Sequence, residues 1–251
     1  MPSHDPLSRS RALALALAGG LFATSADASG PAELPAEFRR APWAARTLSV
    51  GSPHDGYLVR GARLRASRAL RLWNAKDVPS FSTPHLLKAL VSAADQVRAK
   101  HPGAVLLVHA LSSERGGAIR GKRSHQSGRD ADLVLFSRDD EGRPASPRQL
   151  PRFGADGRST KGEGLLLDDA KNWTLVESLA KDRTVTHMFI APAQRTLLLE
   201  HARRAKVPGP RLAVVAAKLF ADVGDEPLDA ALHVRVDCPK GQEAICLNAA
   251  Q

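Results

Sequence analysis

The chain has 251 residues, a formal net charge of +10 and 43% hydrophobic residues, which is enough for one sizeable domain with its own core. Such a basic chain is attracted to anionic polymers, but aromatic residues make up only 4% of it, which argues against a base-stacking surface for nucleic acid. No internal repeat is visible, and no segment beyond the N-terminal region is long and apolar enough to span a membrane.

The first 28 residues have the pattern of a secretory signal peptide. Arg9 and Arg11 precede an apolar run at 12–22, and Ala26 and Ala28 supply the small residues of an A-x-A cleavage site. The alternative is a short membrane anchor, although the run is shorter than the roughly 20 residues that a spanning helix needs. We therefore expect cleavage after Ala28 and a periplasmic mature protein.

The mature chain is predicted to begin with a Pro- and Gly-containing linker or surface arm at 29–46, followed by one domain at 47–251. The elements predicted in that domain are a helix opening at Thr83 and ended by Pro102, strands at 104–108 and 131–136, an exposed excursion at 137–164, a helix at 168–181, a strand at 185–190, a helix at 193–204 and a strand at 232–236. The segment 212–220 fits a helix or a strand. Because strands and helices mix without regular alternation, the pattern favours an α+β fold.

The stretch 124–132 carries the most chemistry. His125 is followed by Gly128, which allows a sharp turn, and then by Asp130 and Asp132, which share one face of a strand because side chains alternate. His233, on the C-terminal strand, is a candidate third ligand. Two histidines and one carboxylate leave one tetrahedral position open, as in catalytic zinc sites. Such spacing also occurs by chance, and a lone strand histidine is more often an interior residue.

Two segments resemble the penicillin-insensitive murein endopeptidases: SHQSGRDADL at 124–133 and HVRVDCP at 233–239. Weaker similarities occur in family order from Gly51 to Cys246. The resemblance implies the α+β fold of hedgehog-like domains and D-Ala-D-Ala peptidases, with a small mixed or antiparallel sheet flanked by helices. It also implies Zn²⁺ held by His125, Asp132 and His233, and hydrolysis of D-alanyl–diaminopimelate cross-links between murein stem peptides. The sequence gives no indication of an oligomeric state.

Four residues next to these ligands are candidates for supporting roles. Ser124 and Asp130 are expected beside the metal ligands or the substrate. Arg129 or Arg235 is a candidate for pairing with a substrate carboxylate, since a guanidinium can bind it through two hydrogen bonds. Each arginine is equally compatible with a solvated surface charge.

The resemblance fails at one catalytic position. The family usually has H-x-H in its last motif, and the first histidine, which assists proton transfer, is Ala231 here. A second histidine found in some members is Lys122. The candidates for a substitute group are Asp229, His109 and His187, with Asp225 and Glu226 nearby in the sequence.

Three functional alternatives follow. The protein is a zinc endopeptidase with a substitute group or with slow hydrolysis by the metal alone, or a zinc-binding murein-recognition protein that does not cut. A third class is a basic protein that binds anionic polymers or lipid head groups without hydrolysis.

Cys238 and Cys246 are the two cysteines of the chain. In an oxidising compartment such a pair is a candidate disulfide, whereas free thiols or metal ligands are the alternatives. Export favours the disulfide.

Overall fold

The structure is a computed structural model that describes residues 34–73, 78–160, 164–222 and 231–248. The predicted signal peptide and the candidates Asp225, Glu226 and Asp229 lie outside the described residues. In the predicted arm, two short 3₁₀ helices cover Ala36–Arg39 and Trp43–Ala45. Phe38 packs there with Leu48 in a small apolar cluster.

Four α-helices and thirteen short strands make up the described part. The helices are α1 (Pro84–Lys100), α2 (Asp169–Lys181), α3 (Pro192–Arg204) and α4 (Gly209–Ala216). The strands are β1 (Leu48–Gly51), β2 (Gly56–Val59), β3 (Ala62–Arg63), β4 (Leu70–Leu72), β5 (Phe81–Ser82), β6 (Leu106–Ala110), β7 (Asp130–Val134), β8 (Ser137–Arg138), β9 (Pro144–Ala145), β10 (Leu166–Leu167), β11 (Val185–Ile190), β12 (Leu219–Ala221) and β13 (Ala231–Val236). The predicted α+β class is confirmed.

The central sheet has six strands in the order β12-β11-β13-β7-β6-β4. Its inner pairs are antiparallel, whereas the outer pairs β11–β12 and β4–β6 are parallel. Alternate residues of these strands, such as Leu133, Met188 and Val234, pack with the buried helix residues in the main core. The side chains between them, including Asp132 and His233, therefore project from the opposite face.

Helix α1 begins where the sequence predicts, with Pro84 in its first turn and a buried stripe that includes Leu86, Leu90 and Val97. Thr83, however, does not cap the helix with its side chain. Its hydroxyl instead donates to the carbonyl of Gly128 at 3.0 Å. The start of α1 is thereby tied to the loop that carries His125.

Two other segments differ from the sequence-based expectation. In the segment 212–220, which fits a helix or a strand by sequence, helix α4 ends at Ala216 and strand β12 begins at Leu219, the first residue that pairs with β11. The excursion at 137–164 contains strands β8 and β9, which form a small sheet with β10. Among the described residues, no helix is long and apolar enough to cross a membrane.

Candidate metal centre

The loop before β7 is held in one conformation. Gly128 has φ +76°, and a Cβ at this position would approach the side chain of Leu58 to 2.5 Å. Its carbonyl accepts hydrogen bonds from the Ser82 hydroxyl at 2.9 Å and from both the amide and the hydroxyl of Thr83. These contacts fix the direction from which His125 approaches the sheet.

The His125 ring is buried, and its two nitrogens have different partners. Nδ1 lies 3.1 Å from the carbonyl oxygen of Leu111, which can only accept, so Nδ1 carries the proton. Nε2 lies 3.2 Å from Oδ1 of Asp132. Nε2 is therefore the nitrogen that faces the Asp132 carboxylate.

His233 reaches the same carboxylate from the neighbouring strand. The register pairs His233 directly with Asp132, and Nδ1 of His233 lies 2.8 Å from Asp132 Oδ1. On the other side of the ring, Nε2 lies 2.7 Å from Oδ1 of Asp130 and 3.3 Å from the Ser124 hydroxyl. One ligand atom each of His125, Asp132 and His233 thus lies within 4.8 Å of the others.

The charges in this cluster are strongly coupled. Burial alone would lower the pKa of His233, but its hydrogen bonds to Asp130 and Asp132 outweigh burial and raise that pKa to about 9. Burial would raise the pKa of Asp132, yet the charge of His125 and the hydrogen bonds from both histidines hold it well below its usual value. The pKa of Asp130 is also lowered, against burial, chiefly by the hydrogen bond from His233.

The donor set fits a divalent metal ion. The Leu111 carbonyl contacts Nδ1 of His125, and the Asp130 carboxylate contacts Nε2 of His233. Metal-binding histidines commonly donate the ring nitrogen that does not bind the metal to a carbonyl or carboxylate in this way. The remaining nitrogens face a carboxylate oxygen, so acceptor atoms face each other unless a proton or a cation lies between them. Two imidazole nitrogens and one carboxylate oxygen are ligands that zinc accepts.

Lys122 adds a positive charge to this cluster. Its ammonium group forms an ion pair with Oδ2 of Asp132, and its side chain is 24% exposed. Oδ1 of Asp132 therefore faces the two histidines, and its Oδ2 pairs with the ammonium group of Lys122. The lysine occupies the position at which the resemblance expects a histidine in some members.

The four predicted supporting residues have different surroundings. Ser124 and Asp130 contact His233, and Nε of Arg235 donates to Asp130 Oδ1 at 2.8 Å. Arg129 is 0% exposed, and its guanidinium donates to the carbonyl of Leu247 at 2.5 Å and to Asn248 at 2.8 Å. Because Arg129 has no open face for a substrate carboxylate, Arg235 is the arginine that we retain for that role.

The disulfide between Cys238 and Cys246 is present, as predicted, with a Cα–Cα distance of 5.8 Å. It follows β13 directly and closes the segment that leads to Leu247 and Asn248, the partners of Arg129. The bridge therefore holds the C-terminal segment beside the strand that carries His233.

Ala231 occupies the position that the resemblance assigns to a second histidine. It is the first residue of β13, pairs with Val134 and is 4% exposed. Because it lies two residues before His233, its side chain projects from the same face of the sheet as the His233 ring. This strand position therefore carries the methyl group of an alanine and no imidazole.

The weak catalytic candidates lie outside the three-residue cluster. His109 packs edge-on against Trp73 at 5.5 Å, and its pKa is lowered by burial. His187 stacks on Phe189 at 5.5 Å, and burial lowers its pKa as well. Nδ1 of each ring is buried without a hydrogen-bond partner in the part of the chain that the structure describes.

His54, in the turn between β1 and β2, lies near the cluster. Its carbonyl accepts a 2.6 Å hydrogen bond from the side chain of Gln126, the residue after His125. Burial lowers the pKa of His54, as does the charge of Arg235, whereas the charge of Asp130 raises it. No spacing rule links His54 to His125, because only the packing of the β1–β2 turn on the loop brings them together.

The fold and the site together define a class: an α+β protein with a buried cluster of two histidines and one aspartate that could hold a metal ion, on the face of the central sheet opposite the main core. The sequence model of the penicillin-insensitive murein endopeptidase family matches residues 49–251, which include all three cluster residues. The chain belongs to that family, whose members are peptidases acting on peptidoglycan. No curated protein matches the chain.

Proposed function

We propose that the protein is a zinc-dependent endopeptidase that hydrolyses D-alanyl–diaminopimelate cross-links in peptidoglycan. The observation that carries this proposal is the convergence of two oriented imidazoles on one buried carboxylate, in a chain that belongs to a murein endopeptidase family. His125, Asp132 and His233 hold the metal. When bound, zinc supplies a Lewis acid that polarises a peptide carbonyl and activates water.

The remaining residues of the site orient these ligands and set the local charge. The carbonyl of Leu111 and the carboxylate of Asp130 select the tautomers of His125 and His233. Lys122 places an ammonium group next to Asp132, where it favours negative charge that develops on a substrate.

A second function is favoured by one specific observation, the small side chain of Ala231. General acid–base assistance is worth about 10²–10⁴ in rate, so a site without a substitute group would retain metal and bind murein while turning over slowly or not at all. The alternative is therefore a zinc-binding murein-recognition protein.

Export agrees with both functions. A murein-acting protein works outside the cytoplasm, and a disulfide suits an oxidising compartment. We propose that residues 1–28 are a cleaved signal peptide, that 29–46 are an arm and that 47–251 are the zinc domain of a periplasmic protein.

The test is digestion of a purified cross-linked muropeptide dimer, with the products identified by mass spectrometry. We expect two uncross-linked stems cut at the D-alanyl–diaminopimelate bond, and no product with chelator or in His233→Ala. His201→Ala on α3 is the matched control and should cut normally. Zinc binding without any cut would establish the recognition function, and salt-sensitive binding that ignores chelator would support the anionic-polymer class instead.

A further inference from the structure

A row of aromatic side chains continues from the metal centre across the open face of the sheet. The register pairs Asp132 with His233, His233 with Phe189, and Phe189 with Phe220. The ring centroids of Phe189 and His233 are 5.9 Å apart, and those of Phe189 and Phe220 are 5.8 Å apart. His187 completes the group, stacked on Phe189 at 5.5 Å and 5.1 Å from Phe220.

These rings line a groove of about 710 Å³ rather than the core. Phe220 is 39% exposed and is the only phenylalanine among the exposed large apolar side chains of the described residues. Only 4% of the chain is Phe, Trp or Tyr, yet Phe189 and Phe220 cluster here with the His187 ring and provide an apolar shelf of the kind found in ligand clefts.

The groove also carries an excess of positive charge. Arg183, Lys218 and Arg235 line it together with a single carboxylate, Asp237. Oδ1 of that carboxylate accepts hydrogen bonds from the Cys238 amide at 2.8 Å and from the Asn248 side chain at 2.5 Å. The groove therefore suits a ligand that combines carboxylates with small apolar groups.

Arg235 links the groove to the metal centre. Its guanidinium carbon lies 5.8 Å from the centre of the Phe189 ring, and its Nε donates to Asp130 at 2.8 Å. The guanidinium is thus held in place by a residue that also orients His233, which favours bidentate pairing with a carboxylate at a fixed distance from the reaction centre.

We propose that this groove binds the acidic stem peptide on one side of the scissile bond. The stem carboxylates pair with Arg235, Arg183 and Lys218, and the methyl groups of the stem lie on the shelf formed by His187, Phe189 and Phe220. The proposal rests on the proposed murein substrate but not on turnover. The glycan strand, the other part of murein that could stack on aromatic rings, is a separate outcome of the test.

The test is calorimetric titration of the chelator-treated full chain, which separates binding from hydrolysis. The ligands are a disaccharide tetrapeptide from murein, the same compound with its stem carboxylates amidated, and the peptide-free disaccharide. We expect Phe220→Ala to weaken tetrapeptide binding by about 5–10-fold and Arg183→Ala by about 3–5-fold. We also expect Arg183→Ala to leave binding of the amidated compound unchanged, because the partner charge has been removed.

Two surface variants outside the groove serve as controls. Val214→Ala on α4 removes an exposed apolar side chain, and Arg203→Ala on α3 removes an exposed charge. Both should bind like the wild type, and all four variants should keep the wild-type melting temperature and zinc affinity.

The proposal is overturned if the wild type does not bind the tetrapeptide, if neither groove variant changes its affinity, or if the peptide-free disaccharide binds as tightly. These outcomes are independent of turnover. Binding that depends on the groove, without any hydrolysis, would contradict the endopeptidase activity and support the groove as the stem-binding site. Hydrolysis together with groove variants that bind like the wild type would support the endopeptidase activity and contradict the groove proposal.

Discussion

Replacing Lys122 with methionine should increase the zinc affinity of the protein. The ammonium of Lys122 pairs with Asp132, so a metal ion bound by that carboxylate is repelled by a like charge. Two unit charges at about 4 Å repel each other by ~1 kcal/mol even in bulk water, hence a divalent ion by ~2 kcal/mol, which corresponds to roughly 30-fold in affinity.

The lysine can also avoid part of this repulsion by moving into solvent. Its side chain is 24% exposed, and a partly exposed ion pair of this kind contributes only about 0.2–1 kcal/mol, or at most ~5-fold. The expected gain for Lys122→Met lies between these limits, at about 10-fold.

The assay is competition for zinc between the chelator-treated protein and a chromophoric chelator at fixed pH. Arg123→Met is the matched control, because it removes an exposed positive charge from the adjacent position, and it should change affinity by less than about 2-fold. Lys122→Arg should behave like the wild type. Unchanged or weaker zinc binding in Lys122→Met would refute the idea that this ammonium opposes the metal at Asp132.

Four further predictions concern His233, Ala231 and the disulfide. Because Asp130 and Asp132 raise the pKa of His233 to about 9, zinc must displace a proton from this ring below that pH. Zinc affinity measured by competition should therefore rise about ten-fold per pH unit from pH 6.5 to 9 and then level off, and a flat profile would contradict this. Stability of the metal-free protein should change the opposite way, because the contribution of protonated His233 is full below pH 6.5 and is lost as the pH rises through 9, so its melting temperature should fall over that interval. Ala231→His, on the face of β13 that carries His233, should raise the turnover of muropeptide dimers by about 10²-fold, and an unchanged rate with intact zinc binding would show that another group already transfers the proton. The paired replacement of Cys238 and Cys246 by alanine should lower the free energy of unfolding by roughly 2–3 kcal/mol in chemical denaturation, whereas an equal midpoint would show that the bridge is not needed to hold the C-terminal segment.

The sequence allowed the metal cluster to be predicted because its determinants are mostly local. Strand alternation places Asp130 and Asp132 on one face, and Gly128 permits the turn that returns His125 to them. His233 is a candidate third ligand from its strand alone, and the family resemblance singles it out, since only strand pairing brings it opposite Asp132. The structure brings His125, Asp132 and His233 together, whereas their role as zinc ligands stays a prediction.

Other contacts depend on long-range packing that spacing does not reveal. Arg129 carries a charge typical of the surface, yet the C-terminal segment covers it and takes up its donors. His54 comes near the cluster through the side chain of Gln126. The aromatic row of Phe189 and Phe220 depends on the register of three strands, where a slip of one residue would turn the side chains to the other face.

Zinc titration of the chelator-treated protein, followed by hydrolysis of a cross-linked muropeptide dimer, tests the central claim most directly. We predict no hydrolysis without metal and a rate that rises with added zinc and saturates at one zinc per chain, with His125→Ala and His233→Ala inactive at the same zinc level. Hydrolysis that persists in the metal-free protein, or that survives the loss of either histidine, would contradict a zinc endopeptidase built on His125, Asp132 and His233.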